Sequence, residues 1–318
     1  MMPRGMWYCL GLLLIAGLGA GSVQSQPPKM RVAASILPLA DFCHQIGGDK
    51  VEVQVLIPPG ASPHTFEPSP GVLTGLSRAQ VLVYIGGGLE PWIDRFLKTR
   101  KDQKPVVVAA TYGIELIKEI PEHVRGGEAP EQQHRHPQES GGVQGHTHAA
   151  GNPHVWLDPM LAQDICRRIA AAFIVKDPGN QAVYEENLQN YLAKLTDLHQ
   201  KTLAATAAFR RREFVGFHPS FTYFARGYNL KEVGIIEVAP GREPTPRALK
   251  NIIKAIHHYG IKVIFSEPQF SSRIAEVLAK EAGVSVLPLD PIGGRPPYGD
   301  DYLKMMQYNV ETMAQAMK

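Results

Sequence analysis

The sequence predicts an α/β protein of two βαβ-type lobes, each with a central, mostly parallel sheet, joined by one long rigid helix. Three observations predict this. Short β-rich runs alternate with segments of helical apolar spacing, the rhythm of parallel sheets with crossover helices. The rhythm stops near residue 178 and restarts near residue 210. Between these points lies a stretch of 29 residues, 180–208, without a glycine or proline and with apolar residues at Tyr184, Leu188, Tyr191, Leu195 and Leu198.

In chain order, the first lobe offers strands at MRVAAS, VEVQVLIP, AQVLVYIGGG and PVVVAA, with PLADFCHQIGG as a helix after the first. KDPGN then breaks the chain, and the long helix follows; at 1.5 Å per residue it reaches about 43 Å. Such a helix is a stiff connector that permits only small lobe motions. The second lobe offers strands at REFVGFH, EVGIIEV, IKVIFSEP and VSVLPLD, with TPRALKNIIKAIHHYG and RIAEVLAKEAG as helices. The expected division is 26–178 for the first lobe, 179–208 for the connecting helix and 209–318 for the second lobe.

Composition narrows the function. A chain of 318 residues, 44% hydrophobic and 20% charged, is long enough for two ordinary cores. Its formal charge of +3 offers no broad basic face, so no nucleic-acid partner is expected. Cys9, Cys43 and Cys166 show neither a disulfide framework nor CxxC spacing; whether Cys43 and Cys166 pair stays open. Arg4, the apolar segment LGLLLIAGLGA and the small, polar GSVQSQPP have the order of a secretory signal peptide, assigned to residues 1–25. Cleavage is expected near Ala20 or Ser25, giving a periplasmic protein; membrane tethering is the alternative. Cys9 precedes the apolar heart and is badly placed for lipid modification.

One segment breaks the α/β pattern. Residues 121–153 carry six glycines, four prolines, no aromatics and five of the 12 histidines: His123, His134, His136, His146 and His148. This composition cannot bury enough surface to fold alone, so a surface loop is expected, with the imidazoles as auxiliary weak ligands for a borderline cation. Four further residues stand where chemistry is expected. His64 follows VEVQVLIP, His218 closes REFVGFH, Asp290 closes VSVLPLD, and His154 sits in NPHVWLDP just after the histidine-rich segment. Ligands of open α/β sheets bind beyond the carboxyl ends of the strands. Three imidazoles and one carboxylate make a complete tetrahedral set for a divalent cation in the cleft between the lobes. Each residue has a plainer reading as a turn, loop or core residue, and spacing alone does not decide. Glu67 and Glu267 are candidates for outer acceptors that orient the imidazoles.

The segments SPHTFEPSP, NPHVWLDP, GFHPSFTYFARGYNL, SEPQFSSRIAEVLAKEAGVSVLPLDPIG and VYIGGGLEPWIDRFL closely resemble the metal-binding subunits of bacterial zinc and manganese ABC importers. The likeness runs from about Met30 to the carboxyl terminus. It implies two α/β lobes joined by a long helix, metal capture between them at His64, His154, His218 and Asp290, a membrane permease as partner, and a monomer. In that family a glutamate at the third ligand position goes with manganese, whereas this chain has His218; the histidine-rich segment is typical of zinc members. Nitrogen donors also favour Zn²⁺, because Mn²⁺ stands lowest in the divalent affinity order and prefers carboxylates. Zn²⁺ is therefore the expected cargo and Mn²⁺ the alternative. The rival class is a secreted zinc hydrolase. HExxH, GxSxG and a Walker loop are all missing from the sequence, so no enzymatic activity is expected. Four protein ligands would close the site to an activated water, whereas three imidazoles without Asp290 would resemble a catalytic set.

Overall fold

The computed structural model describes residues 28–99, 104–118, 151–238 and 241–318. Two four-stranded parallel sheets organise the chain. The first has the order β2-β1-β3-β4, with β1 at Met30–Ala34, β2 at Val51–Val55, β3 at Val81–Tyr84 and β4 at Val106–Ala109. The second repeats that order as β6-β5-β7-β8, with β5 at Glu213–Gly216, β6 at Lys231–Ile235, β7 at Val263–Ser266 and β8 at Ser285–Pro288. Each of the eight strands overlaps its β-rich run and is shorter than it; β6 starts one residue earlier than EVGIIEV, at Lys231. The parallel register puts all the strand carboxyl ends of a sheet on one side.

Four of the helices begin at a side-chain cap. Among the described residues the helices are α1 (Leu37–Gly47), α2 (Pro70–Arg78), α3 (Pro91–Thr99), α4 (Pro159–Lys176), α5 (Gln181–Ala207), α6 (Thr222–Gly227), α7 (Pro246–Tyr259), α8 (Arg273–Ala282) and α9 (Tyr302–Met317). Ser69, Asp158, Thr245 and Asp301 each accept a backbone N–H at the start of α2, α4, α7 and α9, with proline in the first turn of the first three. Gly260 and Gly283 end α7 and α8 in the left-handed conformation, which a side chain would penalise.

The long helix of the sequence is α5, of 27 residues, and it is not a bare rod. Tyr184, Leu188, Tyr191, Leu192, Leu195 and Leu198 bury one face of it against α1 and α4. Helix α9, the last of the chain, leaves the second sheet and packs back on α5 and α1. Asp41 of α1 ties this junction: its carboxylate accepts the Tyr191 hydroxyl at 3.1 Å and the Tyr302 N–H at 3.2 Å. One continuous apolar core therefore runs from the first sheet through α4, α5 and α9. A smaller core, with Val215, Ile252, Ile264 and Leu278, lies between the second sheet and α7 and α8. Cys43 and Cys166 are buried in α1 and α4 as thiols, without a disulfide. The leader at residues 1–25 and the five loop histidines at 123, 134, 136, 146 and 148 lie outside the described residues. Among the described residues no helix is long and apolar enough to cross a membrane.

Candidate metal centre

The carboxyl ends of the strands deliver the site. His64 lies in the loop after β2, and His218 stands two residues past the end of β5. Glu267 directly follows β7, the hydrogen-bonded neighbour of β5 at the point where strand order reverses, so the two side chains emerge side by side. His154 opens a single 3₁₀ turn, Val155–Leu157, which feeds α4. That turn is anchored by Trp156, wholly buried, whose indole N–H donates to the Pro291 carbonyl at 2.7 Å across the lobes.

These elements bring three imidazoles together. The Nε2 atoms of His64 and His154 are 3.2 Å apart, and those of His154 and His218 are 3.1 Å apart. His154 and His218 are buried, with 2% and 3% of their surfaces exposed, and His64 is half-buried. The tautomers follow from the partners. His218 Nδ1 lies 2.7 Å from Glu267 Oε1, and a carboxylate only accepts, so the ring proton is on Nδ1 and Nε2 is a lone pair. Asn152 Oδ1 accepts the His154 backbone N–H at 3.0 Å and lies 2.8 Å from His154 Nδ1. The Asn152 amide nitrogen is directed elsewhere, to the Pro219 carbonyl at 2.6 Å. His154 thus also carries its proton on Nδ1 and turns the Nε2 lone pair inward. The inward lone pairs of His154 and His218, 3.1 Å apart, repel one another unless a cation lies between them. Two nitrogens on one tetrahedral zinc, at about 2.0–2.1 Å each, are separated by about 3.3 Å.

Asp290 differs from its expected place. It is buried, yet it stands outside the three-imidazole group. Its Oδ1 accepts the N–H groups of Ile292 and Gly293, each at 3.0 Å, and the Gln269 amide at 2.8 Å; its Oδ2 accepts the Tyr298 hydroxyl at 2.6 Å. Four donors already hold the charge, and they shape the loop that presents Gln269 and Pro291 to the site. Glu67 is a second correction. Its side chain is 80% exposed, 3.9 Å from Arg95, and among the described residues it orients no imidazole. Glu267, by contrast, is buried against His218 and also accepts the Ser220 hydroxyl at 2.8 Å. The residue missed by sequence reasoning is Asn152, two positions before His154 in NPHVW, whose amide pattern is recognisable only once its partners are known.

Beside the imidazoles the cavity has a volume of only about 10 Å³, lined by Ser62, Trp156, Gln269, Phe270 and Ile292 among others. That is room for about one water-sized sphere. A second carboxyl lies behind the site. Glu232 accepts the Thr222 hydroxyl at 3.3 Å, its other oxygen is buried, and burial, with the neighbouring Glu267 charge adding to it, pushes its pKa up to about 8. A carboxyl raised this way binds its proton in the folded chain across a window where the unfolded chain has lost it. Folding stability therefore falls as pH rises from about 4.5 towards 8. Buried Glu90, raised by burial to about 7, acts in the same direction. In metal-free protein, Glu232→Gln should flatten this decline: thermal midpoints measured from pH 5 to 9 should converge at the acid end and favour the variant at the alkaline end. Parallel curves would contradict it.

Comparison with known proteins agrees with this architecture. The family model described as "Zinc-uptake complex component A periplasmic" matches residues 32–316. The high-affinity zinc uptake system protein ZnuA of Bacillus subtilis is 32% identical over 96% of this chain and 94% of its own length. The zinc-binding protein AdcA of Streptococcus pyogenes is 31% identical over 90% of this chain, which spans 55% of that relative's length. A zinc-bound crystal structure of a ZnuA deletion mutant superposes with a TM-score of 0.75 at 32% identity, covering 92% of this chain and 99% of that one.

Proposed function

The chain belongs to the periplasmic zinc-uptake complex component A family, and we propose from this and from its three-imidazole centre that it captures Zn²⁺ outside the cytoplasmic membrane and delivers it to the permease of an ABC importer. The observation that carries this reading is the convergence of three imidazoles, with His154 Nε2 at 3.2 Å from His64 Nε2 and 3.1 Å from His218 Nε2, two of them with tautomers set by Asn152 and Glu267. Nitrogen donors alone, without a carboxylate in the set, favour zinc over manganese. Three imidazoles leave one tetrahedral position for solvent, as catalytic zinc sites also do. The volume of about 10 Å³ beside them supports carriage rather than catalysis, because no organic substrate fits next to the ion.

Zinc is the cargo, so the site must release as well as bind, and a set split between loops of both lobes supports release through small displacements at the permease. The reading extends to a monomer, freed from its leader rather than tethered. The test is metal content after chelator stripping and reloading with equal Zn²⁺ and Mn²⁺, for the parental protein and a variant with His64, His154 and His218 all changed to alanine. One tightly held zinc, lost in the triple variant, is expected. Retained manganese would change the cargo, and a metal-free parent would overturn the reading.

A further inference from the structure

We propose that Asn152 is a positioning residue whose two amide ends do separate work: Oδ1 orients His154 towards the captured ion, and Nδ2 clasps the opposite lobe beside His218 and so sets how fast the ion leaves. This rests on the zinc-capture reading. The Oδ1 end holds both the backbone N–H and Nδ1 of His154, at 3.0 and 2.8 Å. The Nδ2 end crosses to the second lobe, donating to the Pro219 carbonyl at 2.6 Å and to Thr222 Oγ1 at 3.1 Å. Pro219 is the residue after His218, so one planar amide spans the two ligand-bearing segments. Because an amide is rigid, shifting one segment shifts the other.

Tyr223 reinforces the clasp. Its hydroxyl donates to the Asn152 carbonyl at 2.8 Å and accepts the Ile117 N–H at 3.1 Å, while Asn152 N–H donates to the Ile117 carbonyl at 2.8 Å. Tyr223 of the second lobe thereby holds two segments of the first lobe, around Ile117 and Asn152, that are far apart in sequence. Gly151 lets those segments meet: its φ is +116°, and a Cβ there would fall 2.7 Å from Leu116 Cβ. The Asn152 cluster is thus bonded to both lobes and to the ring of a ligand, an arrangement that a merely structural asparagine does not need. The two ends can be separated by mutation. Asn152→Asp keeps an acceptor for His154 but puts a second acceptor against the Pro219 carbonyl, whereas Asn152→Ala removes both ends.

The experiment combines two readouts on parental protein, Asn152→Asp and Asn152→Ala. Nitrogen-15 imidazole spectra of the zinc-free proteins read the His154 tautomer, and stopped-flow mixing with zinc and with excess chelator reads association and release. Asn152→Asp should keep the Nδ1–H tautomer and the parental association rate while releasing zinc at least about 10-fold faster. Asn152→Ala should lose the tautomer preference as well and bind about 10- to 100-fold more weakly, the usual effect of removing a partner of a ligating histidine. Should Asn152→Ala not fold, Thr222→Val, which removes one acceptor of the clasp, should still speed release about 2- to 5-fold. Parental release rates in Asn152→Asp and Thr222→Val, or an unchanged His154 tautomer in a folded Asn152→Ala, would overturn the clasp. A parental protein that takes up no zinc would overturn the capture reading instead.

Discussion

Replacing His154 with alanine should lower zinc affinity by more than about 100-fold, the largest effect of any single substitution at the centre. His154 is the middle ligand: its Nε2 is 3.2 Å from that of His64 and 3.1 Å from that of His218. Without it two imidazoles remain, His64 and His218, whose rings are 5.2 Å apart, centroid to centroid, and a two-nitrogen set holds the ion far less tightly. Loss of a partner that merely orients a ligating histidine typically costs 10- to 100-fold, so loss of the ligand itself should exceed that. Competition against a chelating dye measures the change, with circular dichroism confirming the fold. A folded His154→Ala protein that holds one zinc at parental affinity would show that the imidazole cluster is not the capture site.

Trp156→Ala should destabilise the protein by about 3–5 kcal/mol, through the cavity left by a wholly buried indole and the loss of its bond to Pro291. For a chain of this size that corresponds to a thermal midpoint lower by roughly 5–10 °C. The effect should reach the site as well, since the indole lies 5.2 Å from the His154 ring, centroid to centroid, and its partner Pro291 follows Asp290. Trp156→Phe separates the two contributions. It keeps most of the apolar contact and leaves the Pro291 carbonyl without its donor, a loss of about 1–3 kcal/mol. Calorimetry on both variants, with and without zinc, distinguishes them; equal midpoints for Trp156→Ala and the parental protein would show that the turn before α4 is held by other contacts.

Fold class was legible in the sequence because its signals are local. Eight β-rich runs and breaker clusters such as KDPGN depend on neighbours within a few residues, and the strands and the long helix follow them closely. His64, His154 and His218 were also recognisable as candidates, since each sits in a short proline-flanked segment, His64 and His218 beyond a strand end and His154 after the histidine-rich segment. Their meeting was not. His64 and His154 are 90 positions apart, and His154 and His218 are 64 apart, so their convergence exists only when two sheets face each other. Asp290 shows the limit most clearly: its position after β8 looks the same whether its carboxylate points at a cation or is consumed by Ile292, Gly293, Gln269 and Tyr298. The exposure of Glu67, the burial of Glu267 and the return of α9 onto α5 are likewise decided by packing. Residue types and local geometry are set along the chain, whereas hydrogen-bond partners and burial depend on which distant segments compete for the same space. Local patterning along the chain set the two-lobed α/β class and the donors on offer; packing between distant segments set which donors converge, which are already satisfied, and that the Asn152 amide hydrogen-bonds to both lobes.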